Sequence, residues 1–236
     1  MQKPEGARGK LLMTALDKVM KLQTSAIENY VDWVRSHNKD ASPAEVQAIL
    51  DKHIMLVGSS TGAGAGAASA IPGFGFFMGA AAIGAESLVF LDAAAFYIMA
   101  SAHLRGIDIR DEERRKALIL LVLLGAQGTA IVDTLVSTEA GGSVASTVSR
   151  FSVPKLSDMN KKLMNSAMRR ASKRVRTAWL GKFMPLGIGA VLGTVANRKL
   201  VRRLLENTHH QLGEVPSNFD TPAPEITQKP KGGLLR

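Results

Sequence analysis

Apolar residues recur every three to four positions from Leu11 to Val34, which is the spacing of one face of an α-helix. This pattern predicts an amphipathic helix that packs against the rest of the protein. After a polar break, Ser42 can act as an N-cap, Pro43 suits the first helical position, and Glu45 stands three residues after the serine. These residues predict a short second helix from Pro43 to about Val57.

A long apolar segment follows, and Glu86 and Asp92 are the only formally charged residues between Ile54 and Ala102. Its length suits two transmembrane helices of about 20 residues each or one buried helical hairpin, with a break at Ile71-Pro72-Gly73. Small residues four apart let helices approach closely, either in lipid or in a tight soluble bundle. The glycines predicted to serve helix packing are Gly62, Gly66, Gly75, Gly79, Gly84, Gly189 and Gly193.

The next apolar run, from Ala117 to Val132, begins after a connection of mixed charge. Its acidic residues, Asp111 to Glu113, precede its basic residues, Arg114 to Lys116, and this order suits the start of a helix. Because the run is apolar on all sides, we expect it to be buried in protein or lipid. The segment from Ser137 to Ser152 is rich in Ser, Thr and Gly and is predicted to be a loop.

The composition becomes strongly basic between Lys155 and Lys182, where Asp158 is the only acid. Apolar residues recur there at helical spacing and Trp179 stands near the end, so the pattern predicts a basic amphipathic helix. Anionic lipid attracts each basic residue at a membrane surface by about 1 kcal/mol. The residues predicted to contact anionic lipid are Lys161, Lys162, Arg169, Arg170, Lys173, Arg174 and Arg176. A second basic helix is predicted from Asn197 to Leu212.

Composition and charge narrow the class of protein. Hydrophobic residues make up 46% of the chain and charged residues 21%, so the two classes must be segregated along the sequence. The absence of cysteine excludes disulfides and thiolate metal sites, and it suits the reducing side of a membrane. A formal net charge of +10 indicates a polyanionic partner. The scarcity of aromatic residues, 5%, disfavours nucleic acid relative to anionic lipid.

The sequence does not support a catalytic or cofactor-binding motif. The glycines from Gly62 to Gly66 have a dinucleotide-binding spacing, but no β-strand of branched residues precedes them. A hydrolase is not predicted, and the histidines of the chain lack chelating spacing. His209 and His210 are therefore interpreted as solvated surface residues. No cofactor, metal ligand or catalytic residue is predicted.

Three acidic residues, Glu86, Asp92 and Asp133, are flanked by apolar residues. In lipid an ionisable group is costly and marks a functional site by default, whereas in a soluble bundle it usually caps a helix or pairs with a base. We favour pairing with Lys or Arg of the basic helices over a role in proton or ion translocation.

The order of these features resembles the EcsC protein family. The resemblance rests on the turn from Ala100 to Asp108, the charged helix start at Asp111, and the glycine-spaced stretch from Phe183 to Gly193 before a basic helix. It covers about Leu12 to Leu212, and Ile107 stands where the family has tyrosine, which indicates a divergent member. The family is bacterial and often membrane-associated, its founding member is encoded with an exporter-type ABC transporter, and no functional residues carry over.

Together these patterns predict an all-α fold, a helical bundle with a Gly/Ala-rich apolar hairpin at its centre and basic amphipathic helices around it. One domain is expected over residues 11–212, between a disordered N-terminus, 1–10, and a disordered tail, 213–236. Its predicted parts are an apolar centre (54–132), a linker (137–153), a basic helix (155–182) and C-terminal apolar and basic helices (183–212).

The function predicted from these features is that of a membrane-associated, non-enzymatic protein that is accessory to an envelope or transport process. Its expected location is the bacterial inner membrane, with the basic segments facing the cytoplasm. Its expected partners are anionic lipid and a membrane protein. Two alternatives stay open: a soluble helical regulator that binds an acidic protein, and an enzyme that acts on a lipid-like substrate.

Overall fold

The computed structural model describes residues 24–59, 86–135, 143–178 and 188–224, with side chains described except at 58–59, 86–90, 170–178 and 188–197. Within these ranges the fold is all-α, as the sequence predicts, and no strand is present. The helices are α1 (Thr24–Ser36), α2 (Pro43–Ser59), α3 (Glu86–Leu104), α4 (Glu112–Leu124), α5 (Ala126–Asp133), α6 (Val144–Ser149), α7 (Val153–Ala178) and α8 (Ile188–Leu212).

Helices α3 and α4 form the centre of the core. Every residue from Asp92 to Ala102 of α3 is buried, and α4 buries nearly all of its apolar part from Ala117 to Leu124. Helices α1, α2 and α8 pack against α3, and α7 packs against α4. Because α3 and α4 are enclosed by other helices, their apolar residues cover all sides, whereas α1 and α7 bury apolar residues on one side.

Two predicted helix starts are confirmed at the level of single hydrogen bonds. At the start of α2 the Glu45 carboxylate accepts from the Ser42 N–H at 2.8 Å, and the Ser42 hydroxyl accepts from the Glu45 N–H at 3.3 Å. At the start of α4 the Asp111 carboxylate accepts from the Arg114 N–H at 2.7 Å. These bonds satisfy N–H groups that the first helical turn leaves without a partner.

The apolar run after Asp111 is divided into two helices, which the sequence pattern did not indicate. Gly125 separates α4 from α5 with φ +60° and ψ −133°. The break frees carbonyl groups of α4, and Asn207 of α8 donates from Nδ2 to the Val122 carbonyl at 2.9 Å. A polar side chain from a distant helix therefore compensates for the interrupted ladder.

Other elements also differ from the prediction. The expected loop from Ser137 to Ser152 includes the short helix α6, which Ser143 caps through a bond from the Ser146 N–H at 3.1 Å. The apolar stretch and the basic helix predicted near the C-terminus are joined, because α8 is continuous from Ile188 to Leu212.

Residues 213–224 also differ from the predicted disordered tail, because they are held against α1 and against Arg105, which follows α3. Arg105 donates from Nε to the Gly213 carbonyl at 2.7 Å, and Arg35 donates to the Thr221 carbonyl at 2.6 Å. The Arg35 guanidinium also lies 4.0 Å from the centre of the Phe219 ring. This arrangement is a cation–π contact that fixes the segment on α1.

The membrane-spanning segments predicted between Ile54 and Ala102 fall largely outside the described residues, since 60–85 is not among them. Among the helices that the structure does describe, none has both the length and the apolar composition needed to cross a membrane.

Candidate functional site

A cluster of hydrogen-bonded polar side chains joins α2, α3 and α8, and Asp51 is its centre. The Oδ1 atom of Asp51 accepts from the Tyr97 hydroxyl at 2.6 Å and from Gln47 Nε2 at 2.7 Å. Its Oδ2 atom lies 3.0 Å from Nε2 of His209. The Asp51 side chain is 21% exposed and that of His209 is 46% exposed, so the cluster reaches the surface through His209.

Arg105 completes the cluster at its inner end. Its Nη1 donates to the Gln47 side-chain oxygen at 2.6 Å and to the Ser101 carbonyl at 2.8 Å. Gln47 Nε2 also lies 3.1 Å from the Ser101 hydroxyl. Burial lowers the pKa of Arg105, while the nearby Tyr97 and Asp51 act in the opposite direction. A guanidinium stays protonated in proteins, so Arg105 supplies a positive charge close to the Asp51 carboxylate.

The cluster holds Asp51 ionised and Tyr97 protonated. Burial alone would raise the pKa of Asp51, but hydrogen bonds from His209, Tyr97 and Gln47 outweigh that effect and lower the pKa. Burial, with the adjacent Asp51 charge, raises the pKa of Tyr97 far above its ordinary value. At neutral pH the tyrosine therefore donates a charge-assisted hydrogen bond to the carboxylate, and such bonds are stronger than neutral ones.

The contact between His209 and Asp51 joins α8 to α2. In this cluster the other polar atoms around Asp51 bond to one another, so the direct consequence of the contacts is mechanical. They tie α2 to α3 and α8 in a fixed register.

The register shows that α3 and α8 both run antiparallel to α2. Gln47 meets Ser101 and Asp51 meets Tyr97, so positions rise on α2 as they fall on α3. Asp51 also meets His209, and Gln47 reaches Gly213 through Arg105. Ser59, Glu86 and the middle of α8 consequently lie at one end of the bundle, and the start of α2 and the end of α3 lie at the other.

Sequence reasoning missed this cluster and assigned His209 to solvated surface. A local signal was present, because Gln47 and Asp51 are four residues apart, as are Tyr97, Ser101 and Arg105. That spacing places polar groups on one face of each helix. The contact between Asp51 and His209 had no such signal, because it joins helices that are far apart in the sequence.

The predicted basic helix has two distinct faces where its side chains are described. Leu156, Met159 and Leu163 of α7 are each 0% exposed, and α7 packs on α4. Buried Asn160 of the same helix donates to the Glu113 carbonyl at 2.8 Å and to its carboxylate at 2.7 Å. These contacts fix which side of α7 faces the solvent.

The outer face of α7 carries three of the residues predicted to contact lipid, Lys161, Lys162 and Arg169, and all three are exposed. Lys161 lies 2.9 Å from Asp158, and both side chains are well exposed. Lys162 and Arg169 take part in none of the ion pairs found in the described ranges. The other predicted contact residues belong to α7, but their side chains are not among those described: Arg170, Lys173, Arg174 and Arg176.

A second basic surface lies on α8 and was not singled out among the predicted contact residues. Val201 and Leu204 face the core at 0% and 5% exposure. The exposed basic residues around them are Arg198, Lys199, Arg202 and Arg203. Leu200, between these residues, is 39% exposed although it is a large apolar side chain.

The three acids predicted to share apolar surroundings have different environments. Asp92 is 3% exposed within α3, whereas Asp133 is exposed at the end of α5. Glu86 begins α3, and its side chain is not described. Asp133 forms none of the ion pairs in the described part of the chain. Pairing of these acids with the basic helices stays a prediction.

The glycines predicted to serve helix packing are mostly outside the described ranges, namely Gly62, Gly66, Gly75, Gly79 and Gly84. Gly189 and Gly193 lie within α8, but their surroundings are not described.

Besides His209, the histidines His53 and His103 are partly buried, and His53 Nδ1 lies 2.7 Å from the Tyr30 hydroxyl. No group of three His, Asp or Glu side chains in the described ranges could hold a metal ion.

Comparison with known proteins gives no match for this chain, whether with family models, curated proteins or solved structures. The resemblance to the EcsC family therefore stays a prediction from the order of sequence features.

Proposed function

We propose that this protein binds the anionic surface of the bacterial inner membrane from the cytoplasmic side, using the basic outer face of α7. In this proposal it is a divergent member of the EcsC family with a non-catalytic, accessory role in an envelope or transport process, in which it also contacts a membrane protein. The observation that carries the proposal is the separation of faces on α7. Its apolar side is covered by α4, and its basic side is exposed.

The charges on this face favour an extended anionic surface as the partner. Lys162 and Arg169 are seven residues apart, about 10 Å along a helix, so they lie on nearly the same side of α7. Neither forms one of the ion pairs found in the described ranges, although the charge of Lys162 acts on Asp158, four residues earlier on the same helix. Each basic residue contributes about 1 kcal/mol of attraction to an anionic membrane. The low aromatic content, 5%, argues against single-stranded nucleic acid, which stacks its bases on aromatic side chains.

The proposal predicts that Lys162→Gln/Arg169→Gln weakens binding to vesicles of phosphatidylcholine and phosphatidylglycerol by roughly 30-fold, because about 2 kcal/mol of attraction is lost. Sedimentation of the full chain with vesicles measures the affinity. Both residues are exposed, so the variant should keep the far-ultraviolet circular dichroism of the parent.

A matched control removes two other exposed charges, with Lys39→Gln/Arg110→Gln. Lys39 precedes α2 and Arg110 follows α3, so both lie at the end of the bundle that contains the start of α2. This control has the same net charge as the test variant and should bind nearly as well as the parent. Equal losses in the two variants would mean that only net charge matters and would overturn the role of α7.

A further inference from the structure

Two of the large apolar side chains that are exposed in the described ranges belong to helices that pack against each other. Leu56 of α2 is 46% exposed and Leu200 of α8 is 39% exposed. The antiparallel register set by Asp51 and His209 places Leu56 beside position 204 of α8. Leu56 and Leu200 are then separated by about 6 Å along the helix axes, which is one helical turn. They mark the same end of the bundle.

We infer that this end of the bundle, which we call the α2/α8 end, is the part of the protein that enters the membrane interface. It comprises Leu56, Leu200 and the exposed basic residues that surround Leu200 on α8: Arg198, Lys199, Arg202 and Arg203. This inference rests on the proposed function, to which it adds a second lipid-contact site and an orientation of the molecule on the bilayer.

The chemistry of the α2/α8 end matches an anionic interface. Apolar side chains can lie below the headgroups while adjacent lysine and arginine side chains contact the phosphates. The exposed acid nearest to Leu200 in sequence, Glu206, lies six residues, about 9 Å, further along α8, toward His209. Basic residues thus flank Leu200, whereas Glu206 lies nearer to the level of Leu56.

The two residues that flank segment 60–85 also lie at this end. Segment 60–85 has no Asp, Glu, Lys or Arg, and its flanking residues are Ser59 and Glu86. Because α2 and α3 are antiparallel, both flanking residues lie at the α2/α8 end. In the same register Ser59 is level with Val201, so residues 188–200 of α8 extend about 20 Å beyond the end of α2.

The opposite end of the bundle has a different character. The connection before α2 contains Lys39 and Asp40, and the connection after α3 contains Asp108, Arg110 and Asp111. Both signs of charge are present there, so an anionic surface gains little net attraction. A second copy of the chain is a poor occupant of the α2/α8 end, because two such ends would oppose like charges. An anionic bilayer is the partner that the charge fits.

The inference is tested with single-cysteine variants, since the chain has no cysteine of its own. Leu56→Cys and Leu200→Cys place a thiol at the α2/α8 end, and Ala44→Cys places one on an exposed position at the start of α2. Each thiol is labelled with an environment-sensitive fluorophore, and the full chain is mixed with phosphatidylcholine and phosphatidylglycerol vesicles. All three sites are exposed, so folding should be retained.

We expect the labels at positions 56 and 200 to shift to shorter wavelength and to become protected from an aqueous quencher, and the label at 44 to stay unchanged. As a second readout, Arg202→Gln/Arg203→Gln should weaken vesicle binding by roughly 30-fold, the combined effect of two surface charges. The Lys39→Gln/Arg110→Gln variant serves as the charge-matched control.

Two unfavourable outcomes are distinguishable. If the protein sediments with vesicles but the labels at 56 and 200 stay open to the quencher, the α2/α8 end is not the inserted end, and the proposed function stands. If no variant binds anionic vesicles, the proposed function fails, and the inference fails with it.

Discussion

Asp51 receives hydrogen bonds from residues on three helices, and its ionisation should therefore be visible in the stability of the protein. The hydrogen bonds lower its pKa in the folded state, so its contribution is fully present above its unfolded value of about 3.9 and is lost as the pH falls through the lower folded value. Asp51→Asn should cost about 1.5–3 kcal/mol at pH 7, the range for hydrogen bonds to a charged group.

Urea unfolding across the acid range measures this effect. The Asp51→Asn variant should lose less stability below about pH 4 than the parent does, because the group that titrates is gone. Asp40→Asn, at an exposed position in the connection between α1 and α2, is the control. Its loss of stability at acid pH, the acid limb of the curve, should equal that of the parent. An identical acid limb in all three proteins would contradict the assigned role of Asp51.

His53 and His103 should produce a separate pH dependence nearer neutrality. Burial lowers the pKa of both side chains, and for His103 the charges of Glu28 and Asp32 only partly oppose that effect. The unfolded chain therefore binds more protons than the folded protein just below the unfolded value of about 6.5. Stability should fall as the pH drops from 7 toward 5.

The variant His53→Gln should flatten this decline, since glutamine keeps a polar group near Tyr30 without titrating. His37→Gln, at an exposed position, should not. Thermal unfolding at several pH values makes the comparison. A decline of the same size in the parent and in His53→Gln would exclude His53 as its source.

At the scale of elements, the break between α4 and α5 depends on Gly125. A Cβ atom at this position would lie 2.9 Å from the Asn207 amide atoms, and φ is +60°. Gly125→Ala should therefore destabilise the protein through both backbone strain and collision. At Gly106, where φ is +71°, a Cβ would meet nothing within 4 Å, so Gly106→Ala should cost only the strain of about 1–2 kcal/mol.

Chemical denaturation measures the free energy of unfolding of the two alanine variants. Gly125→Ala should lower it by at least about 1 kcal/mol more than Gly106→Ala does, which is the usual cost of overpacking. Adding Asn207→Ala to Gly125→Ala should relieve the collision, so the two changes should be non-additive. Equal costs at Gly106 and Gly125 would mean that Asn207 does not constrain the break.

These elements also show how far the sequence can predict the fold. The starts of α2 and α4 were predictable because Ser42, Glu45 and Asp111 act on N–H groups within the same helical turn. The break at Gly125 was not, because a glycine inside an apolar helical run is normally tolerated and its partner, Asn207, lies in the last helix. Interactions within one helical turn can be predicted from the neighbouring residues, whereas interactions between helices that are far apart in the sequence cannot.

The candidate sites follow the same rule at the scale of the whole molecule. The basic face of α7 was predictable from the spacing of its lysines and arginines, because the amphipathic pattern lies within one helix. The cluster around Asp51 and the α2/α8 end depend on the antiparallel register of three helices, which spacing along the chain does not encode. Leu56 and Leu200 would each be expected inside the protein on residue type alone.

The molecule as a whole combines a buried helical centre with two exposed basic surfaces, and we expect these surfaces to attract anionic membranes. The most direct measurement is sedimentation of the full chain with phosphatidylglycerol-containing and purely phosphatidylcholine vesicles at increasing salt. We predict that the protein binds the anionic vesicles at least tenfold more tightly than the neutral ones. This preference should decline as salt is added, because the Debye screening length shortens from about 10 Å at 0.1 M to about 3 Å at 1 M. Equal binding to both kinds of vesicle, or no binding to either, would contradict the proposed attraction to anionic membranes.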